Sequence, residues 1–416
     1  MAIARTDVGG GFDLATVNLL DPALLDDPYA FYAQLRREAP VWQVPGTRVF
    51  LVATWNLVVD AVNRPEDFSS NLTGILVRGP DGRPRILEFP PDIVASAAIA
   101  TADPPAHGIH RKLAQPSLSP IAIAKMEPAV IQAVDRLLRP LLDQGGGEIM
   151  GTVASPLPAL VIAWILGLPA ADADRIMKWG VQGGDLLHGT RTVEEIVAIL
   201  PETEALSAYL DEQLRSAQAA GDENGTTGQL AKMVTEGTTD GLTARNILLV
   251  LIGAAVETTM TLIGNTLRLM VETPGLERRL RDDPALIPAL IEESARLESP
   301  FKGHYRVVSR SCSLGDVALE PGDRLQLLWA SANRDASVIA DPDTMDLSRP
   351  NLRRHLAYGH GLHFCLGAAL ARQEVRVVLE RLLAQTTQIE MGPDGAELIR
   401  SLFVRRLDRL DLRFVS

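Results

Sequence analysis

Apolar positions along the chain change their period twice. From about residue 120 to residue 300 they recur at helical spacing, interrupted by Gly221-Asp222-Glu223-Asn224-Gly225. The helical pattern resumes on both sides, so that segment reads as a surface connection rather than a domain linker. Thr243 is predicted to open a long helix that runs to about Glu272, where Pro274-Gly275 stops it. Such a helix, ~30 residues at ~1.5 Å each, is about 45 Å long and crosses a large domain. Its middle, Ile247 to Val256, is apolar all round, which predicts burial on every side. Residues 149–171 carry no charge, but the continuous apolar run Ala159 to Leu168 is about ten residues, too short for a bilayer that needs about 20. It reads as a buried helix.

Before residue 120 the pattern is mixed. Val41–Val44 and Val49–Val52 flank Pro45-Gly46-Thr47-Arg48 and predict a hairpin. The stretch 71–100, with Gly74, Gly79, Gly82, Pro80, Pro84, Pro90 and Pro91, reads as a long loop, and its Ile75, Leu76 and Ile86 suggest one that closes over something. Short strand patterns return after Pro300. The fold class is mainly α with a small β part.

Composition narrows the function. A chain of 416 residues allows one large domain or two to three smaller ones. A hydrophobic share of 46% excludes a disordered chain, and a net charge of −12 argues against nucleic-acid and anionic-membrane partners. Two cysteines, Cys312 and Cys365, cannot build a disulfide framework or a four-thiolate zinc site. Met1 to Asp13 lacks the apolar core of a signal peptide, and no membrane anchor is evident, so a cytoplasmic location is expected.

The densest chemical signal is Tyr358-Gly359-His360-Gly361-Leu362-His363-Phe364-Cys365-Leu366-Gly367. Past Cys365 the pattern turns helical, so the thiol is expected at a helix N-terminus, where backbone N–H groups favour a thiolate. Gly359 and Gly361 permit a tight turn, and Gly367 lets a flat group approach the backbone. A thiolate in such a socket suits a haem iron. A buried structural cysteine after a glycine turn gives the same local pattern.

This stretch resembles the haem-binding loop of the cytochrome P450 family, Phe-Gly-x-Gly-x-His-x-Cys-x-Gly, as found in bacterial members. Every fixed position matches except the first, where Tyr358 adds a hydroxyl that needs a partner. Other segments agree in the family's order. Glu293-Ser294-Ala295-Arg296 matches its Glu-x-x-Arg, and Arg349 fits the arginine that joins that pair; the role is structural. Ala254-Ala255-Val256-Glu257-Thr258-Thr259 resembles the distal Ala-Gly-x-(Asp/Glu)-Thr-Thr, with Ala255 where the family usually has glycine. The resemblance runs from about Asp27 to Val415. It implies an N-terminal extension, residues 1–26, followed by a single haem domain, residues 27–416. That domain is a triangular helical one, with haem b between a long distal helix and the helix after the cysteine loop.

The resemblance also implies site residues. Cys365 would be the iron ligand. His107, Arg111, Arg306 and His363 would hold the haem propionates, with Tyr358, Gly359 and Gly367 against the ring. His304, His355 and His110 are further candidates for propionate contact. Glu257 would relay protons and Thr258 would hydrogen-bond the dioxygen being reduced, although Thr258 bonding back to a carbonyl and Glu257 pairing with a base is the plainer reading. His188 has no assigned role and is expected on the surface or in a loop.

The implied activity is that of a monooxygenase. It inserts one oxygen atom of O2 into a C–H or C=C bond of a lipophilic small molecule, with electrons from a ferredoxin and an NAD(P)H ferredoxin reductase. Arg111, Lys112, Arg353, Arg354 and Arg372 are a candidate docking patch for that ferredoxin. Leu76, Val250, Ala254, Phe301 and Phe403 are expected to line the substrate pocket, and Lys302 to point outward into solvent. A peroxide-driven enzyme and a haem binder without turnover are the alternatives, and the acid–alcohol pair argues against both. A monomer is expected.

Overall fold

In a computed structural model, residues 11–415 are described. The long helix spans Gly241–Glu272. The Asp240 carboxylate caps it by accepting from the Thr243 amide at 2.8 Å. Around it pack Ala173–Asp185, Pro156–Leu166, Leu200–Ala220, Ile287–Leu297 and Ala368–Gln385, and their apolar side chains merge into one core. Pro156–Leu166 is the apolar run of the 149–171 segment, nearly all buried, with Gly167 in the left-handed region as its stop. The long helix is itself apolar enough to cross a membrane, but it is the buried centre of this core.

The β part is small. A five-stranded sheet runs in the order Val41–Gln43, Val49–Val52, Arg324–Leu327, His304–Val308, Phe68–Ser69. The predicted hairpin forms its edge, with Trp42 opposite Leu51. The one parallel pairing in this sheet, Val49–Val52 with Arg324–Leu327, ties the first fifth of the chain to the last quarter. A three-stranded sheet pairs Leu407–Val415 with Gln388–Leu398 and Gly146–Glu148.

The helix Ala173–Asp185 lies close along the long helix because two of its three glycines, Gly180 and Gly184, face it. A Cβ at Gly180 would lie 2.7 Å from Val256 Cβ, and one at Gly184 would lie 1.7 Å from Glu257 Oε2. Both distances are far below contact, so neither position accepts a side chain without movement.

Several expectations need correction. The 71–100 stretch is not a loop: Gly74–Arg78 and Pro84–Glu88 form a hairpin, turned at Gly82 with φ of 74°, and Pro91–Ala95 is a short helix. Proline is tolerated because this sheet has only two strands, both edges. The middle of the long helix is not buried on all sides; Ala254 is exposed, and Leu249, Val250, Gly253 and Ala255 are half-buried. They face cavities rather than solvent. The helix runs unbroken through Ala255, as expected where alanine replaces glycine. Of the expected extension, residues 1–10 lie outside the described residues. Residues 11–26 pack on the domain: Phe12 meets Phe31 edge-on, and Leu19 and Leu24 are buried beside Phe31 and Tyr32.

Candidate functional site

Two adjoining cavities lie at the long helix. The first, of about 240 Å³, is closed on one side by Ala254, Ala255, Thr258 and Leu262 of that helix. The cysteine loop closes the other. Gly359 and Gly361 take φ of 71° and 64°, and the Cys365 amide donates to the Tyr358 carbonyl at 2.8 Å, which pinches the loop shut before the helix Ala368–Gln385. Cys365 faces the cavity and is accessible there, although it lies deep in the protein. Burial pushes its thiol above the ordinary value, against the pull of the Gly367 amide, Arg372 and Arg111. A Cβ at Gly367 would meet nothing within 4 Å, so the space above the loop is open.

One edge of this cavity collects basic groups. His107 and Arg111 come from the helix Ala106–Ala114, four residues apart on one face. Arg306 comes from the strand His304–Val308, and His363 from the cysteine loop. The rings of His107 and His363 lie 4.1 Å apart. His107 Nδ1 and His363 Nε2 are buried without a hydrogen-bond partner, and Arg306 has no carboxylate within ion-pair distance among the described residues. Burial lowers Arg306 to about 10, and burial with the nearby Arg306 charge lowers His363 to about 3. Convergent donors with no anion of their own are what a group carrying two carboxylates requires.

The remaining histidines separate. His304 borders both cavities and accepts from Trp329 Nε1 at 2.6 Å. His110 accepts from the Ile99 amide and borders neither cavity. His355 is structural: its Nε2 lies 2.9 Å from Glu292, which also accepts from Arg372 Nε at 2.6 Å. Burial opposes ionisation of Glu292, but the hydrogen bonds from His355 and Arg372 outweigh it and hold the carboxyl at about 2, below its ordinary 4.5. Burial likewise opposes ionisation of Glu298, and Arg405, Arg268 and Arg334 hold it at about 2. A lowered folded-state value contributes stability that is present above about 4.5 and is lost as pH falls through about 2. Thermal melts between those limits should therefore fall steeply, and Glu292→Gln should flatten that slope; an unchanged slope would contradict the assignment.

Glu293 accepts from Arg296 at 2.7 and 2.8 Å and from Arg349 Nε at 3.1 Å, so the three predicted partners meet in the core. Tyr358 keeps an aromatic wall, with the Arg372 guanidinium 4.1 Å from its ring centre, but its hydroxyl is buried without a partner among the described residues.

On the distal side the plainer reading of the threonine holds in the structure. Thr258 Oγ1 donates to the Ala254 carbonyl at 2.6 Å. Glu257 lies on the next face of the helix and borders the second cavity, of about 290 Å³. It is paired: Oε1 accepts from Arg406 Nη1 at 2.8 Å and lies 3.1 Å from His188 Nε2. His188 lies in the irregular turn after Asp185, as the loop expectation has it, but it is buried and engaged rather than on the surface.

Val250, Ala254 and Phe301 border both cavities, and Phe403 borders the second, its ring 4.7 Å from that of Phe301. Leu76 borders neither. Strand alternation sends Ile75 and Val77 toward Tyr305 and Phe403 and turns Leu76 the opposite way, into the Phe31 cluster. Trp179, Leu186, Leu187 and Leu206 of the second cavity had no signal of their own in the sequence. Lys302 is also misplaced by the outward expectation. It is buried beside Leu24 and Tyr32, away from both cavities, with Nζ donating to the Ser401 carbonyl at 2.6 Å. Burial, reinforced by Arg405, lowers it to about 7.

The sequence profile named Cytochrome P450 matches residues 203–398. Cytochrome P450 144 of Mycobacterium tuberculosis is 38% identical over 388 residues, 93% of this chain and 89% of that protein. The chain belongs to the cytochrome P450 family. Cyclomarin C epoxidase CymV of Salinispora arenicola is 30% identical over 363 residues, 86% of this chain and 88% of its own. Among solved structures, CYP109E1 from Bacillus megaterium in complex with testosterone superimposes with a TM-score of 0.83 at 27% identity, covering 94% of this chain and 98% of that one. The protein is accordingly a P450 monooxygenase that binds haem b. The basic edge, its two orphaned imidazole nitrogens and the open space over Gly367 fit that group.

Proposed function

We propose that this P450 inserts one oxygen atom of O2 into a C–H or C=C bond of a lipophilic small molecule held in the second cavity. The observation that carries the reading is Cys365 facing an apolar chamber directly across from Ala254 and Thr258. Cys365 is the iron ligand; His107, Arg111, Arg306 and His363 hold the propionates; Tyr358, Gly359 and Gly367 lie against the ring. Bound haem supplies the oxygen activation, and a thiolate ligand favours O–O cleavage.

The chain's own residues do the rest. Val250, Phe301 and Phe403 form apolar walls that orient the substrate and exclude water. Ala254 leaves room beside the reacting centre. Thr258 holds a proton at Oγ1, and Glu257 supplies one from the adjoining face. A testosterone-bound relative and a relative that epoxidises cyclomarin C support a sizeable lipophilic substrate. Both members of the acid–alcohol pair are present, which supports the O2 route over a peroxide-driven one. Electrons come from a soluble ferredoxin and its NAD(P)H reductase in the cytoplasm, docking at the exposed Lys112, Arg353 and Arg354; of the expected patch, Arg111 turns to the cavity and Arg372 is half-buried against Glu292. The docking predicts that reduction by an acidic ferredoxin slows as salt rises.

Thr258→Ala tests the oxygen-handling reading. Electrons recovered as hydrogen peroxide should rise several-fold relative to product, with substrate affinity unchanged. Unchanged coupling would remove Thr258 from the reaction.

A further inference from the structure

The acid of the pair sits at the end of a row. Glu257 Oε1 lies 3.1 Å from His188 Nε2, and the other ring nitrogen, Nδ1, faces Asp185 Oδ1 at 3.5 Å. One imidazole therefore stands between two carboxylates with one nitrogen turned to each. Side-chain exposure rises along the row, from 1% at Glu257 to 7% at His188, 16% at Asp185 and 36% at Arg191 beyond it. The row leads from the wall of the second cavity toward the protein surface.

Its geometry is held from several elements. Asp185 ends the helix Ala173–Asp185, His188 follows in the next turn, and Glu257 comes from the long helix. The Leu402 amide donates to the His188 carbonyl at 2.7 Å and fixes that turn. Each carboxylate already has a guanidinium, Arg406 on Glu257 and Arg191 on Asp185. Those charges balance both acids, so no metal ion is needed between them. At the inner end Glu257 Oε2 is buried without a partner among the described residues.

We propose that His188 is the proton-transfer residue of this P450, taking protons from the Asp185 side and passing them to Glu257. A proton from solvent at Asp185 joins Nδ1; the Nε2–H bond breaks and its proton passes to Glu257 Oε1. Each pass moves one proton inward and no electrons, and leaves the ring as its Nδ1–H tautomer; loss of that proton to solvent and uptake of another at Nε2 resets it for the next pass. The charged groups facing His188 are Asp185 and Arg191 from its own segment, Glu257 from the long helix, and Arg406 through Glu257. The inference rests on the reading of Glu257 as a proton donor.

The test uses holoenzyme with His188→Gln, which can still donate to Glu257 but cannot pass a proton on, and Asp185→Asn. In turnover, His188→Gln should slow proton-limited product formation about tenfold and raise the solvent deuterium effect, with KM unchanged. Asp185→Asn should act in the same direction and less strongly. A purely structural role moves neither the deuterium effect nor the pH profile. Independently of turnover, ¹⁵N-histidine spectra of the diamagnetic ferrous carbon monoxide form should show His188 Nε2 shifted by Glu257→Gln and Nδ1 by Asp185→Asn. Wild-type rate and deuterium effect in a correctly folded His188→Gln, or ring nitrogens indifferent to both acids, would overturn the proposal. If His188→Gln does not fold, Asp185→Asn decides by the same criteria. If wild type forms no product from O2, the function reading fails, while the nitrogen shifts still decide whether the row exists.

Discussion

Glu293→Ala is expected to destabilise the protein by about 3–5 kcal/mol, the cost of breaking a buried pair by removing one partner. The carboxylate is fully buried and accepts four hydrogen bonds, two from Arg296, one from Arg349 and one from the Asp346 amide at 3.0 Å. Without it, Arg296 stays buried as a cation with only the carbonyls of Asn333, Pro342 and Thr344 as acceptors. Against a total stability of about 5–15 kcal/mol, the loss is a large fraction. The variant should melt far below wild type and be recovered with little haem. Glu293→Gln keeps the shape and should lose less. A melting temperature for Glu293→Ala close to wild type would show that the three-residue cluster does not hold the core.

Gly184→Ala is expected to uncouple the enzyme without unfolding it. The added methyl would lie 1.7 Å from Glu257 Oε2, and the far end of a side chain is the part that gives way. The carboxylate must then leave Arg406 and His188. Peroxide release should rise to the level of Glu257→Gln, while the spectrum of the reduced carbon monoxide complex stays that of wild type. Gly180→Ala is the control on the same helix. Its methyl meets the Val256 Cβ at 2.7 Å, close to the backbone, so it should cost about 1–3 kcal/mol in stability instead. Wild-type coupling in Gly184→Ala would contradict the placement of Glu257.

Those two glycines show what a single sequence hides. Gly180 and Gly184 are unremarkable in a helical pattern; only the partner helix reveals that no side chain fits. The long helix, the 41–52 hairpin and the Glu293 cluster were legible because their signals are local: a cap, a breaker, a turn, a three-residue spacing. The cysteine loop was legible because glycine turns and a lone thiol occur together within ten residues. The 71–100 stretch misled because Gly and Pro mark hairpins as well as loops, and Leu76 was assigned to the wrong face of a strand whose parity was unknown. Lys302 and His188 misled for a shared reason. Each is buried against partners far away in sequence, Ser401 for one and Glu257 for the other, and no local pattern announces them.

The central claim is that Cys365 is the thiolate ligand of a haem in the first cavity. The most direct test is the absorption spectrum of the reduced protein under carbon monoxide, for wild type and Cys365→Ala. Wild type should show the strongly red-shifted Soret band of thiolate ligation, and Cys365→Ala should lose it. A wild-type protein without that band, or a variant that keeps it, would contradict the assignment.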